Sequence, residues 1–282
     1  MVDTGSAPAD DLPSDPQGPD QPREAQDSKR AEGVLRPVHP GVADLFGVEV
    51  DVLTLAQSVD AARALVATGG PHQHVVLNAA KVVAMRDDPA LRDVIASCSL
   101  VNADGVSVLL AGRVLGQPLP ERVTGIDLFQ ALLSAAETDG STVFLLGATQ
   151  EVLDDLESEV RRRHPRLRIV GSHDGYWDDD GDVVRAVRAA APDYLFLAIP
   201  SPRKEFWLNQ HLDELGVPFV MGVGGSFDVL AGHVSRAPRI VQRMGLEWAW
   251  RWGQEPRRLW KRYVVGNTRF LALLARERWR QR

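Results

Sequence analysis

The sequence predicts an α/β fold, a sheet whose strands alternate with flanking helices, followed by a helical C-terminal appendage rich in Arg and Trp. From Val48 onward, short β-branched or apolar runs alternate with longer amphipathic segments, the rhythm of a sheet covered by helices. After Gly232 that strand signal stops and the chain reads as helix to Arg282. The composition over 282 residues, 44% hydrophobic, 25% charged and 6% aromatic, excludes collagen-like, coiled-coil and wholly disordered chains.

Residues 1–35 are rich in Asp, Pro, Gly, Ser and Gln and hold almost no large apolar side chain, so they read as a disordered acidic tail. The body, residues 36–233, has strand-like runs at Val48–Leu53, His74–Asn78, Leu100–Ala103, Thr142–Gly147, Arg168–Gly171, Asp193–Ile199 and Phe219–Val223. Helical periods lie between them, at Asp60–Ala67, Gly105–Leu115, Asp127–Thr138, Gln150–Arg163, Asp182–Ala190 and Arg203–Leu215. The runs end repeatedly in polar or glycine residues, and ligands of open α/β sheets bind at the carboxyl ends of strands. Residues 234–282 form the appendage.

Charge divides the chain as sharply as periodicity does. The net −6 breaks into −5 for residues 1–35, −11 for the body and +10 for the appendage, which holds 13 Arg or Lys against three Glu. A basic end on an acidic chain points to a local anionic partner, whether phosphate, membrane or nucleic acid. The lone Cys98 supports neither a disulfide nor a structural zinc site, and no secretory h-region opens the chain. No run approaches the length of a spanning helix. These features predict a reducing, cytoplasmic setting.

Several strand ends carry residues suited to chemistry. Asp104, on the turn of Asn102-Ala-Asp-Gly, is placed either as a general base or as an ordinary turn and cap residue, and Asn78 has the same two readings. Arg122-Val-Thr-Gly-Ile-Asp127 either holds a diphosphate or sugar hydroxyls, or is a surface Arg with an acid in the first helical turn. Gly147 can present backbone N–H groups to phosphate. Arg203 and Lys204 stand where cations oppose the helix dipole, which favours an anion site there. Gly222, Gly224 and Gly225 lead into a helix containing Asp228, but with neither the dinucleotide spacing nor the P-loop lysine. Asp178, Asp180 and Asp182 have D-x-D spacing, in the context of a helix start rather than a strand end.

In order, Asn102-Ala-Asp-Gly, Arg122-Val-Thr-Gly-Ile-Asp, Phe144-Leu-Leu-Gly, Asp174-Gly-Tyr, Ser201-Pro-Arg-Lys-Glu, Gly222-Val-Gly-Gly-Ser-Phe-Asp, Arg236-Ala-Pro-Arg, Gly245-Leu-Glu-Trp and Gln254-Glu-Pro-Arg-Arg-Leu-Trp resemble the WecG/TagA/CpsF family of glycosyltransferases. The likeness runs from residue 45 to about residue 272. It implies a Rossmann-like sheet of the GT-E type with a C-terminal helical appendage. It also implies an inverting, metal-independent and cofactor-free transfer from a UDP-sugar to a polyprenyl-diphosphate-linked sugar, at the inner face of the plasma membrane.

Carried onto this chain, the resemblance makes Asp104 the catalytic base and Asn78 its neighbour in positioning a substrate. Arg122, Asp127, Gly147, Tyr176, Lys204, Gly222, Gly224, Gly225 and Asp228 would bind the donor. Arg257, Arg258, Lys261 and Arg262, interleaved with Leu259, Trp260 and Tyr263, would meet the acceptor diphosphate or an anionic lipid surface. Val76 and Lys204 depart from the Thr and Gln of many members, which leaves the donor open between N-acetylmannosamine and another hexose. Two other classes fit less of the sequence: a nucleic-acid reader should not have a body of net −11, and a Rossmann-like oxidoreductase should show the dinucleotide fingerprint. The partners expected are therefore the UDP-sugar, the lipid-linked acceptor and an anionic membrane, with no nucleic acid and with room for a homo-oligomer.

Overall fold

Strands form where the sequence has no polar face to spare. In the computed structural model, which describes residues 41–243, 247–254 and 266–280, β3 (His72–Leu77) and β5 (Thr142–Gly147) are buried at every position. They belong to a six-stranded sheet ordered β4-β3-β8-β7-β5-β6, with β4 at Leu100–Ala103, β6 at Arg168–His173, β7 at Tyr194–Ala198 and β8 at Phe219–Gly222. Every neighbouring pair in it is parallel. Parallel sheets need cover on both faces. One face packs Phe129, Tyr194, Phe196 and Phe227, and the other packs Phe144, Leu195, Leu197 and Trp207.

The helices in chain order are α1 (Leu55–Thr68), α2 (Ala79–Asp87), α3 (Pro89–Ala96), α4 (Val106–Val114), α5 (Gly125–Asp139), α6 (Gln150–Arg163), α7 (Asp180–Ala190), α8 (Arg203–Leu215), α9 (Ser226–Leu230), α10 (Arg239–Arg243), α11 (Glu247–Gln254) and α12 (Gly266–Arg280). Local chemistry sets many of their ends. A capping box of Thr54 and Gln57 starts α1, Thr124 caps α5 and Thr149 caps α6. Gly147 has φ +114°, and a Cβ there would lie 2.7 Å from the Ala198 carbonyl oxygen, so only glycine lets β5 close on β7.

The expected α/β order holds, with differences at one edge. The run at Val48–Leu53 ends as a strand at Asp51 and stays out of the six-stranded sheet. It forms β2 (Val48–Asp51), paired antiparallel with β1 (Val42–Leu45), a strand too short to stand out by alternation. Asp51 accepts a hydrogen bond from the Val101 N–H at 2.7 Å, which seats this hairpin beside β4. Helices α2 and α3 were not expected, because α2 buries Lys81 among its apolar residues and its helical period is blurred. Of the C-terminal segment, α12 sinks Phe270 and Leu274 into the core shared by the hairpin, α2 and α4. Phe270 also meets Phe46 with ring centroids 5.5 Å apart.

Candidate active site

Because every strand of the large sheet points the same way, their carboxyl ends share one edge. Leu77 of β3 lies opposite Ala103 of β4, and the Asp104 N–H donates to the Leu77 carbonyl at 2.8 Å. Asn78 and Asp104 therefore leave adjacent strands side by side. Asn78 caps α2, its side-chain oxygen accepting from the Lys81 N–H at 3.0 Å. The cap position of α4 is Gly105, at φ +107°, one residue after Asp104. Asp104 is half-buried at this edge.

A few strands away, the loop after β7 turns through a cis Ser201–Pro202 bond into α8. Lys204 on its first turn is buried and lies across the glycine block that follows β8. A Cβ at Gly222 would stand 2.9 Å from Lys204 Cδ, and one at Gly224 would stand 3.3 Å from its Nζ. The missing side chains make room for the lysine. Beside it, Glu205 Oε1 lies 2.8 Å from Lys81 Nζ and 3.9 Å from Lys204 Nζ. Lys81 Nζ also donates to the Val76 carbonyl at 2.8 Å. Burial alone would raise the Glu205 pKa, but attraction to Lys81 and Lys204 outweighs it and holds the carboxyl below its usual range. Two buried cations, Lys81 and Lys204, thus lie beside the buried Glu205 carboxylate, close to Asn78.

Behind this edge, the His74 ring bonds the Asn102 side-chain oxygen at 3.1 Å, and Asn102 donates to Ser58 at 2.9 Å. Complete burial drives the His74 pKa down to about 3, with the Asn102 bond working against it and Lys81 and Lys204 adding to it. His74 is a neutral part of the core.

The remaining sequence-predicted residues fall into three settings. Arg122 donates to Glu247 at 2.7 Å, Arg236 reaches the same carboxylate at 3.3 Å, and Arg236 also pairs with Asp127 at 2.6 Å. Arg122 and Asp127 therefore hold Glu247 and Arg236 against the body. Gly225 and Asp228 stay with the β8 loop, where a Cβ on Gly225 would be 3.8 Å from the Asp228 carboxylate. Gly147 serves the packing of β5 against β7, and Tyr176, 77% exposed, stands on the loop after β6. Arg257, Arg258, Lys261 and Arg262 lie outside the described residues. In the D-x-D run, Asp180 accepts from the Trp177 and Trp207 indoles at 2.6 and 2.7 Å and so ties the start of α7 to α8, while the neighbouring Asp179 caps α7.

The parallel sheet with helices on both faces makes this a Rossmann-like α/β protein, and its family is one of glycosyltransferases. The chain belongs to that family, since residues 43–282 match the Glycosyl transferase WecG/TagA/CpsF family. An N-acetylglucosaminyldiphosphoundecaprenol N-acetyl-beta-D-mannosaminyltransferase of Bacillus spizizenii is 34% identical over 191 residues, 68% of this chain and 74% of the relative. A protein of the same name from Staphylococcus aureus is 33% identical over 211 residues, 74% of this chain and 83% of the relative.

Proposed function

We propose that the protein moves a sugar, N-acetylmannosamine or another hexose, from a UDP-sugar to a sugar carried on a polyprenyl diphosphate, with inversion. The placement of Asn78 and Asp104 on adjacent parallel strand ends carries this reading, and the names of the two relatives supply the acceptor class. The acceptor hydroxyl oxygen attacks the anomeric carbon from the side opposite UDP. As that C–O bond forms, the bond from the anomeric carbon to the β-phosphate oxygen breaks and its electron pair leaves with UDP. Asp104 takes the hydroxyl proton and Asn78 orients the reacting sugar.

Charge developing on the departing diphosphate is met by Lys204, which lies across the Gly222–Gly225 turn, with Arg122 within the same reading. These groups stand in for a divalent ion, and no cofactor is needed. The appendage, of net +10, holds the enzyme peripherally at the cytoplasmic face of the membrane, where each engaged cation contributes ~1 kcal/mol. Among the described residues no helix is long and apolar enough to cross a bilayer. The test is a panel of UDP-sugars with a short-chain lipid diphosphate carrying N-acetylglucosamine. A lipid product heavier by one sugar, of inverted configuration and accompanied by UDP, is expected. Failure with every UDP-sugar, or a retained configuration, contradicts the reading.

A further inference from the structure

Helix α4 starts two residues after Asp104 and is apolar on two faces. Val108 and Ala111 enter the core, whereas Val106, Leu110 and Val114 are 49%, 48% and 38% exposed. Their spacing of four residues aligns them in one stripe about 12 Å long. A short helix serving only the core would carry polar residues there. Helix α12 repeats the pattern, with Leu271, Ala275 and Trp279 exposed at the same spacing and Trp279 82% accessible. Val114 and these three residues, with Leu274 and Arg278, line a hollow of about 640 Å³. On the other flank of α12, Arg86, Arg269 and Arg276 line a second, smaller hollow.

We propose that the trough between α4 and α12 seats the isoprenoid chain of the lipid-linked acceptor. Two features select this occupant. The α4 stripe begins at the strand end that bears Asp104, so a lipid lying along it has its headgroup directed to the reacting edge. The hollow also has one guanidinium in its lining, that of Arg278, which suits a hydrocarbon attached to a diphosphate better than the apolar face of a second protein. Arg269 already pairs with Asp87 across the α2 boundary at 2.7 Å, which ties α12 to the body and fixes the trough wall.

This inference rests on the acceptor class proposed above, and two measurements keep the two apart. In the first, Trp279 fluorescence is followed while geranyl, farnesyl and longer prenyl diphosphates are added to the full-length protein, with Trp279→Phe as the reference. A blue shift that strengthens with chain length and is absent from the reference is expected, whether or not sugar is transferred. In the second, KM for acceptors of graded chain length is compared between wild type and the double variant Leu110→Ser, Leu271→Ser. Wild type should gain from each lengthening, and the variant should lose about tenfold of that gain. The proposal is overturned if KM ignores chain length, or if the variant keeps the full gain. It is equally overturned if the variant keeps that gain and changes only the sedimenting mass, a self-association face, or only binding to acceptor-free vesicles, a bilayer face. A blue shift without transfer to any acceptor would leave the trough standing and sink the proposed function.

Discussion

Lys81 and Glu205, on α2 and α8, meet at 2.8 Å with both side chains buried. Lys81 is also the residue whose N–H is capped by Asn78, so one lysine joins the buried ion pair to the candidate site. Removing one partner of a buried pair leaves an uncompensated charge and costs about 3–5 kcal/mol. Glu205→Gln should lose stability of that order, since Lys81 would lose the buried carboxylate it pairs with. Lys81→Met combined with Glu205→Gln should lose less than the sum of the single changes. Urea unfolding of the four proteins tests this, and strict additivity would refute the coupling.

His74 gives the fold a pH dependence above the carboxylate range. Its folded pKa of about 3 lies below the ordinary value of 6.5, so the folded state binds its proton less readily than the unfolded chain. Stability is therefore full above pH 6.5 and falls as pH drops towards 3, by up to ~1.4 kcal/mol per pH unit. His72, also lowered by burial, acts in the same direction. Glu205 contributes only below its ordinary value near 4.5. Unfolding free energy should decline between pH 6.5 and 5, and His74→Gln, which can keep a donor to Asn102, should flatten much of that decline. An unchanged slope in the variant would mean that His74 binds its proton equally well in the folded and unfolded chains.

Glu247 holds Arg122 and Arg236 together, about one-fifth exposed at each side chain. Such partly exposed pairs contribute ~1 kcal/mol. Glu247→Ala should make the segment near Arg239 and Arg243 roughly fivefold more open to trypsin under conditions where cleavage follows the open population. Adding Arg236→Ala should increase cleavage by less than its effect alone in the wild-type background. Mapping of early tryptic products measures both.

If Lys204, lying across the glycine turn, offsets the leaving diphosphate, chelation should leave transfer intact. Turnover is compared in EDTA and with added Mg²⁺ or Mn²⁺. Activity lost in chelator and restored by either ion would require a metal at the donor.

Much of this architecture is legible from residue order, because a strand buried on both faces is written as an apolar run and its polar end marks the sheet edge that carries the candidate site. The Asp104 turn, the Lys204 helix start and the Gly222–Gly225 turn are all visible that way. Lys81 and Glu205 are not, since their pairing depends on α2 and α8 meeting across β3, 124 residues apart in number, and a lysine in a helix reads as solvent-facing. The tie between Arg122 and Glu247 is hidden for the same reason: local spacing beside Gly125 suggests an anion site but contains no trace of a carboxylate supplied by α11. The hairpin of β1 and β2 escapes because Val48-Glu-Val-Asp reads as a strand while saying nothing of which strand pairs with it.

The role of Asp104 is tested most directly by single-turnover transfer and UDP binding in Asp104→Asn. The substitution preserves shape and the main-chain bond to Leu77 while removing the base. Transfer should fall ~10²–10⁴-fold with UDP affinity little changed. Near-normal transfer by the variant would contradict the assignment of Asp104 as the base.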